Sequence, residues 1–235
     1  MPKSGRPPFL QPTKLERDNM KEDVKSVWVK HPSGAIQRKV YKDYDAYLAE
    51  QKSKMDAIDH FTPEYLSEYK ALVGKTISEL PFINRGTSAL CLGARQGTEV
   101  GAFLEAGCFA VGVDLNTGKD NKYVVTGDFH NLQFADGSVD VAFTNSLDHV
   151  YRPLLFLEEV KRVLKPGGHF IVYLAYQGEV GEDKWSSMYW ENSEELIKLF
   201  LDNGFELISK ASGDLHWFEE QLVFQCLYPT KLERI

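Results

Sequence analysis

The residues best suited to chemistry lie in a turn and at the end of the strand that follows it. Gly93 ends the apolar stretch 88–92 and opens the turn Gly-Ala-Arg-Gln-Gly, after which an amphipathic pattern begins. Such a turn lets the backbone approach a ligand closely, and the N-terminus of the next helix favours an anionic group. Asp114 stands about 20 residues further on, where a strand-end carboxylate can accept hydrogen bonds from ribose hydroxyls. The turn and Asp114 together predict a site for a nucleotide cofactor. The alternative is a merely structural tight turn and a solvated aspartate.

Arg95 narrows the choice of nucleotide. A dinucleotide site has glycine at this position, and a side chain here would crowd a pyrophosphate. A guanidinium pairs well with a carboxylate, such as the one in the methionine part of S-adenosylmethionine. We therefore favour S-adenosylmethionine over NAD, with an exposed loop arginine as an equal alternative for Arg95 itself.

An α/β sheet is needed to position these residues. From residue 88 onward, short apolar runs alternate with amphipathic helices, and two further strands follow. The runs and helices cover 88–92, 98–106, 109–113, 139–143, 153–165, 169–174, 193–203, 205–210 and 221–228. This alternation predicts right-handed βαβ crossovers and a mostly parallel sheet, which binds ligands beyond the carboxyl ends of its strands.

The chain before residue 88 predicts an extension to this domain. Extended runs at 27–30 and 35–40 flank a Pro/Gly turn and predict a hairpin. One helix is predicted at 41–58, and a second starts at Thr62-Pro63, where threonine caps and proline occupies the first turn. We expect residues 1–87 to form an arm, a hairpin and helices, and residues 88–235 to form the cofactor-binding domain.

Composition restricts the partners and the compartment. The 235 residues carry a net charge of −7, and the basic residues within 3–30 are diluted by acidic ones, so nucleic acid is not an expected partner. No apolar run approaches the length of a bilayer span, and residues 1–12 lack the apolar stretch of a secretory signal. The three cysteines are widely spaced, without zinc-ligand spacing. They predict free thiols in a cytoplasmic protein and no metal site.

Four stretches, in order, resemble class I S-adenosylmethionine-dependent methyltransferases of the broad group called type 11. They are the turn 91–97, the strand end Gly112-Val113-Asp114, the segment 127–140 that begins Gly-Asp-Phe, and Arg-Val-Leu-Lys-Pro-Gly-Gly at 162–168. The resemblance implies a Rossmann-like, mostly parallel seven-stranded sheet with helices on both faces, and S-adenosylmethionine as cofactor. It also implies which residues contact the cofactor. Gly93 and Gly97 would contact the methionine end, and Asp114 beside Leu115 would contact the ribose. Asp128 and Phe129 would contact the adenine, and Asn145 would lie near the sulfur.

Two positions depart from the pattern of this family. Cys91 stands where the first motif usually has an acidic residue, and Arg95 stands where it has a second glycine. Both departures concern the methionine end of the cofactor. Glu99, in the first turn of the following helix, could replace a lost polar contact or simply interact favourably with the helix dipole.

Asp148 and His149 are the candidate catalytic residues. They follow the apolar run 139–143, at the edge of the sheet where ligands bind. A hydroxyl acceptor of a methyl group gains from a general base, whereas an amine or carboxylate need not have one. Histidine titrates near neutral pH, so we expect His149 to be the base and Asp148 to orient it. The alternative is a helix-capping Asp148 and a structural His149.

An aromatic-rich insertion at 176–192 could close over a substrate or form a satellite hydrophobic cluster. The candidate substrate contacts are Tyr151, Tyr176, Trp185 and Tyr189. Tyrosines at 41, 44 and 47 could complete the pocket or a homodimer surface.

Together these patterns predict O-methylation of a small molecule or a carbohydrate-type acceptor. The run 41–54 resembles that of methyltransferases encoded beside polysaccharide genes, which favours a carbohydrate. Methylation of protein or RNA, and nucleotide binding without catalysis, stay open as alternatives.

Overall fold

A seven-stranded sheet with helices on both faces organises the chain. The computed structural model describes residues 26–30, 36–57, 62–117, 121–175, 178–180, 183–213 and 218–227. The helices are α1 (Tyr44–Ala57), α2 (Pro63–Glu79), α3 (Thr98–Glu105), α4 (Pro153–Val163) and α5 (Ser193–Asp202). The strands are β1 (Ser26–Lys30), β2 (Ile36–Tyr41), β3 (Ser88–Leu92), β4 (Phe109–Asp114), β5 (Val124–Thr126), β6 (Val139–Thr144), β7 (Leu164–Ala175), β8 (Met188–Trp190), β9 (Phe205–Ser212) and β10 (Phe218–Cys226).

The strand order of the large sheet is β5-β4-β3-β6-β7-β10-β9. Strands β5, β4, β3, β6 and β7 pair in parallel, and β10 runs antiparallel to both of its neighbours. The predicted mostly parallel seven-stranded sheet is therefore confirmed. Because parallel strands end at one edge, the segments that follow β3, β4 and β6 are brought side by side.

Alternation along β3 explains why both faces of the sheet carry helices. Leu90 and Leu92 belong to one buried cluster, which includes the apolar faces of α4 and α5. Ala89 and Cys91 belong to the other, which includes the buried residues of α2 and α3. Successive side chains of a strand point to opposite faces, so a strand buried on both sides reads as a continuous apolar run.

The N-terminal extension forms a second sheet with the aromatic insertion. Strand β1 pairs antiparallel with β2, as the predicted hairpin requires. Strand β2 also pairs antiparallel with β8, which comes from the insertion. Residues on either side of the expected boundary at 87/88 thus share one sheet, and that boundary stays a prediction about the sequence.

Several element bounds differ from the expectation. Strand β7 begins at Leu164 and includes the Pro-Gly-Gly stretch that was expected to precede it, because Leu164 already pairs with Val139. Strands β5 and β8 were not predicted, since runs of three residues carry almost no periodicity. Helix α1 starts at Tyr44 because Tyr41 ends β2. The arm expected at the start of the chain, before the hairpin, falls within residues 1–25, and these residues, the turn 31–35 and Tyr176 lie outside the described residues.

Among the helices that the structure describes, none combines the length and the hydropathy required to cross a membrane.

Candidate active site

A cavity of about 690 Å³ opens at the carboxyl edge of the large sheet. Its wall contains residues that follow β3, β4 and β6, together with residues of α1, α2 and α3. The predicted site residues in the wall are Gly93, Arg95, Asp114, Leu115, Phe129, Asn145, Asp148 and His149. The topology therefore brings together predicted site residues as far apart in the chain as Gly93 and His149.

The turn after β3 is held against the ends of both neighbouring strands. Gly93 has a φ of +74°, and a Cβ built on it would lie 2.7 Å from the side chain of Ser146. The backbone N–H groups of Gly93 and Ala94 both donate to the carbonyl of Val113, at 2.9 and 3.1 Å. Only glycine fits this conformation and this close approach, so the turn keeps its backbone close to the cavity. Gly97 caps α3 in a left-handed conformation and is not part of the described wall.

Asp114 anchors the turn as well as lining the cavity. Its Oδ2 accepts the backbone N–H of Arg95 at 2.9 Å, and its Oδ1 accepts the backbone N–H of Asn116 at 2.6 Å. Burial raises the pKa of this carboxyl, while the two backbone hydrogen bonds and Arg95 oppose the rise. A carboxylate has about four lone-pair sites, so each oxygen keeps room for a ligand hydroxyl.

Asp128 is placed behind the wall, and Phe129 is part of it. The Asp128 carboxylate accepts hydrogen bonds from the Tyr44 hydroxyl and from the backbone N–H and ring Nδ1–H of His130, the latter two at 2.8 Å. Burial alone raises the pKa of Asp128, but His130 and these hydrogen bonds outweigh it and lower the pKa. Asp128 therefore fixes the loop that carries Phe129, and its expected contact with adenine stays a prediction.

His149 lies in a short 3₁₀ turn, Leu147–His149, directly after β6. Its Nδ1 is 3.1 Å from the carbonyl oxygen of Trp185, which can only accept, so Nδ1 carries the proton. The lone pair of Nε2 then faces Lys54, whose Nζ is 2.5 Å away. Asp148 Oδ2 lies 3.5 Å from the same nitrogen. Burial lowers the pKa of His149, Asp148 raises it, and Lys54 lowers it further.

Lys54 was not expected in the site. Helix α1 carries it into the wall together with Tyr47 and Gln51, at the spacing of one helical face. Burial lowers the pKa of Lys54, and Asp148 and Asp183 act in the opposite direction. The spacing 47, 51 and 54 was visible in the sequence, but nothing in it indicated that this face meets His149. The cluster of Lys54, His149 and Asp148 is called the base cluster below.

The insertion and the extension hold the base cluster in place. Gln51 Nε2 donates to the Trp185 carbonyl at 2.9 Å, the same oxygen that accepts from His149. The backbone N–H of Ser187 donates to the carbonyl of Asp148 at 2.7 Å. The Tyr41 hydroxyl lies 2.7 Å from Ser187 Oγ and donates to Glu50. The three-stranded sheet and α1 thus form a cover over the carboxyl edge.

Three of the aromatic residues expected to bind substrate instead contact residues of this cover. Tyr151 is 3% exposed and packs on Tyr47, with ring centroids 4.3 Å apart. Trp185 donates its indole N–H to Ser53 Oγ, and Tyr189 lies on β8 opposite Gln37. None of the three belongs to the described wall of the cavity, so contact between them and a substrate stays a prediction.

Two further wall residues, Glu99 and Tyr69, also escaped prediction as a pair. Glu99 is 4% exposed and Tyr69 is 3% exposed. They come from α3 and α2, which pack together on one face of the large sheet. Their closeness depends on helix packing, which the sequence does not reveal.

The sequence model of a family described as a methyltransferase domain matches residues 90–172. This stretch of the chain is similar to a methyltransferase domain. The matched residues run from β3 to β7 and include the turn, Asp114, Phe129 and His149.

Two curated relatives resemble parts of the chain. The chain is 28% identical over 160 residues to an uncharacterized 37.1 kDa protein in transposon TN4556 of Streptomyces fradiae, which covers 62% of this chain and 42% of that protein. It is 33% identical over 96 residues to a demethylmenaquinone methyltransferase of Paenarthrobacter aurescens, which covers 37% of this chain and 38% of that protein. The chain therefore spans less than half the length of either relative.

A solved structure shows the same fold over most of the chain. It is the 1,6-didemethyltoxoflavin-N1-methyltransferase of Burkholderia thailandensis, with bound 1,6-didemethyltoxoflavin and S-adenosylhomocysteine. The two chains are 17% identical with a TM-score of 0.62, and the match covers 89% of this chain and 99% of the other.

The described wall fits S-adenosylmethionine. Asp114 offers acceptors for ribose hydroxyls, and Leu115 and Phe129 offer apolar surface for an adenine. Arg95 offers a guanidinium for a carboxylate, and burial lowers its pKa while Asp114 raises it.

Proposed function

We propose that this protein transfers the methyl group of S-adenosylmethionine to a hydroxyl oxygen of a small-molecule acceptor. The observation that carries the proposal is the meeting of the base cluster and the cofactor turn in one cavity. S-adenosylmethionine supplies an electrophilic methyl group on a sulfonium. The protein must hold an acceptor about 3–3.5 Å from that carbon and remove its proton.

Lys54 and His149 can take that proton together. When Lys54 is a neutral amine, Nζ accepts the hydroxyl proton as the oxygen attacks. The ammonium so formed donates to the bare Nε2 of His149, beside the Asp148 carboxylate. Burial disfavours the charged form of both Lys54 and His149, so it favours the free base before the reaction.

A small acceptor agrees with the mixed polar and apolar lining of the cavity. Beyond the cofactor residues, the wall presents the amide of Gln51 and the ring of Tyr47, which suits a polar organic molecule. These α1 residues belong to the run 41–54 that favours a carbohydrate-type acceptor. The names of two similar proteins, acting on demethylmenaquinone and on 1,6-didemethyltoxoflavin, support a small molecule in general.

Cofactor binding is the first test. We expect calorimetry to detect S-adenosylhomocysteine binding to the purified protein and NAD not to compete, because Arg95 occupies the position where a pyrophosphate needs glycine. Transfer of label from methyl-labelled S-adenosylmethionine to a panel of sugars and phenols then identifies the acceptor. Tight NAD binding without a signal from S-adenosylhomocysteine would overturn the proposal, and label found only on protein or RNA would overturn the acceptor class.

The role of Arg95 can be tested with paired ligands. If its guanidinium binds the methionine carboxylate, Arg95→Ala should weaken S-adenosylhomocysteine by about 10–100-fold and 5′-methylthioadenosine much less, because the latter lacks the carboxylate. Calorimetry with both ligands measures the difference. Lys122→Ala is the matched control, because Lys122 is exposed in the loop before β5 and its replacement also removes one positive charge. Equal losses for the two ligands would leave Arg95 a loop residue.

A further inference from the structure

Glu99 is a buried carboxyl group in the wall of the cavity. It lies in the first turn of α3, is 4% exposed and forms part of the wall. Its carboxylate accepts a hydrogen bond from its own backbone N–H. Among the described residues, no lysine, arginine or histidine forms an ion pair with it. A helix-dipole contact would be satisfied by an exposed glutamate, so it does not explain burial in a cavity wall.

The Tyr69 hydroxyl is a second buried polar group in the same wall. Tyr69 is 3% exposed, and its hydroxyl has no hydrogen-bond partner within the described structure. Its ring is held by Phe218, with centroids 5.7 Å apart, so the hydroxyl is fixed in position. Buried polar atoms are nearly always hydrogen-bonded, and an unpaired one beside a cavity points to a ligand.

A primary ammonium is the ligand that suits this pair. The carboxylate of Glu99 supplies the charge, and the phenol oxygen of Tyr69 supplies a neutral acceptor. One carboxylate and one phenol are too few ligands for a metal ion.

Cys91 cannot take this role, although the first motif of the family has an acidic residue at that position. Its side chain is fully buried and is absent from the described wall. Burial and the nearby Glu99 raise the pKa of the Cys91 thiol, so it stays uncharged.

We propose that Glu99 and Tyr69 form the subsite for the α-ammonium group of the methionine part of S-adenosylmethionine. The inference rests on the proposed function. Glu99 is four residues beyond Arg95 in the chain and both line the cavity, so the ammonium and the carboxylate of one amino acid can be bound by neighbouring parts of a single turn and helix.

Binding of the ammonium at this subsite changes the charge of Glu99. Burial and, to a smaller extent, the Asp114 carboxylate raise the pKa of Glu99 to about 8, and its own backbone hydrogen bond opposes the rise. The other titratable groups that interact with it are Tyr65 and Tyr69 from α2 and Cys91 from β3. At pH 7 the free protein therefore holds a proton on Glu99, and binding of a cation releases that proton to solvent.

The first experiment is calorimetry with three cofactor fragments on the full chain. S-adenosylhomocysteine has both the ammonium and the carboxylate, decarboxylated S-adenosylhomocysteine has only the ammonium, and 5′-methylthioadenosine has neither. Glu99→Gln should weaken the first two about 10–100-fold and leave the third within about twofold. Tyr69→Phe should weaken the binding of the first two by about 2–10-fold, because it removes one neutral hydrogen bond.

Glu105→Gln is the matched control, because Glu105 ends the same helix with its side chain 71% exposed. It should change none of the three affinities. Equal losses for all three fragments in Glu99→Gln, or no loss for any, would overturn the subsite. Absence of S-adenosylhomocysteine binding by the unaltered protein would instead overturn the proposed function.

Proton release gives a readout that a structural role of Glu99 would not produce. Calorimetry in buffers of different ionisation enthalpy at pH 7 should show close to one proton released when decarboxylated S-adenosylhomocysteine binds, and about a tenth of a proton at pH 9. Glu99→Gln should abolish the release at pH 7. Unchanged release in Glu99→Gln would overturn the assignment even if the affinity falls.

Discussion

Replacing His149 with alanine is expected to lower the single-turnover rate of methyl transfer by about 10²–10⁴-fold, the usual contribution of general acid–base catalysis. The affinity for S-adenosylhomocysteine should stay within a few-fold of its original value, because His149 belongs to the base cluster and not to the turn proposed to bind the cofactor. Rapid-quench measurements with methyl-labelled S-adenosylmethionine and the acceptor found in the label screen give the rate. Calorimetry gives the affinity.

Lys54→Met distinguishes a shared base from histidine acting alone. If Lys54 and His149 take the proton together, this variant should also lose about 10²-fold or more in rate. Lys52→Met is the matched control, because Lys52 is exposed on the same helix and should have no effect. Asp148→Asn should lower the rate less than Lys54→Met or His149→Ala does, because Asp148 stabilises the protonated base without accepting the proton itself. If Lys54→Met transfers the methyl group faster than the unaltered protein, and His149→Ala transfers it more slowly, His149 alone accepts the proton.

The pH dependence of the same reaction follows from the direction of the pKa shifts. Burial lowers the pKa of both Lys54 and His149, and the neutral form of each is the base. The rate should therefore rise with pH and level off once the cluster has lost its proton, with the rise lying below the usual range for lysine. A flat profile, with unchanged rates in both variants, would mean that positioning alone drives the transfer.

Asp114→Ala is expected to weaken S-adenosylhomocysteine by about 10–100-fold, equivalent to about 1–3 kcal/mol for ribose hydroxyls left unpaired. The loss has a second source, because the same carboxylate holds the backbone N–H groups of Arg95 and Asn116. Without it the turn is free to move away from the cavity. The ribose contact is common to both ligands, but the turn also carries Arg95, so S-adenosylhomocysteine should lose at least as much affinity as 5′-methylthioadenosine does.

Asp114→Asn separates the two contributions. The amide keeps one acceptor oxygen, so it can hold the turn or the ribose but not both, and an intermediate affinity is expected. Asp202→Asn, at the exposed end of α5, is a control for loss of one negative charge. Thermal unfolding of each variant shows whether the turn also contributes to stability. An unchanged affinity in Asp114→Ala would remove Asp114 from the ribose site.

The sequence by itself determined the central sheet and the glycine turn that follows β3. The apolar run 88–92 is buried on both faces, and a strand of that kind can be recognised in the sequence because consecutive residues are apolar. Gly93 and Asp114 could be found because a turn and a strand end are local features. The relation between them is fixed by a single βαβ unit, so their distance in space follows from their distance in the chain.

Only the tertiary structure decided how the site is completed. Lys54 and His149 are 95 positions apart, and Tyr69 and Glu99 lie on different helices. Helical spacing identifies the face that carries Tyr47, Gln51 and Lys54, but it does not say what that face meets. The pairing of β2 with β8 decides this, since it brings the extension and the insertion over the carboxyl edge through only three residue pairs. Contacts between distant segments depend on the packing of the whole chain, and so the base cluster became visible only in the folded protein.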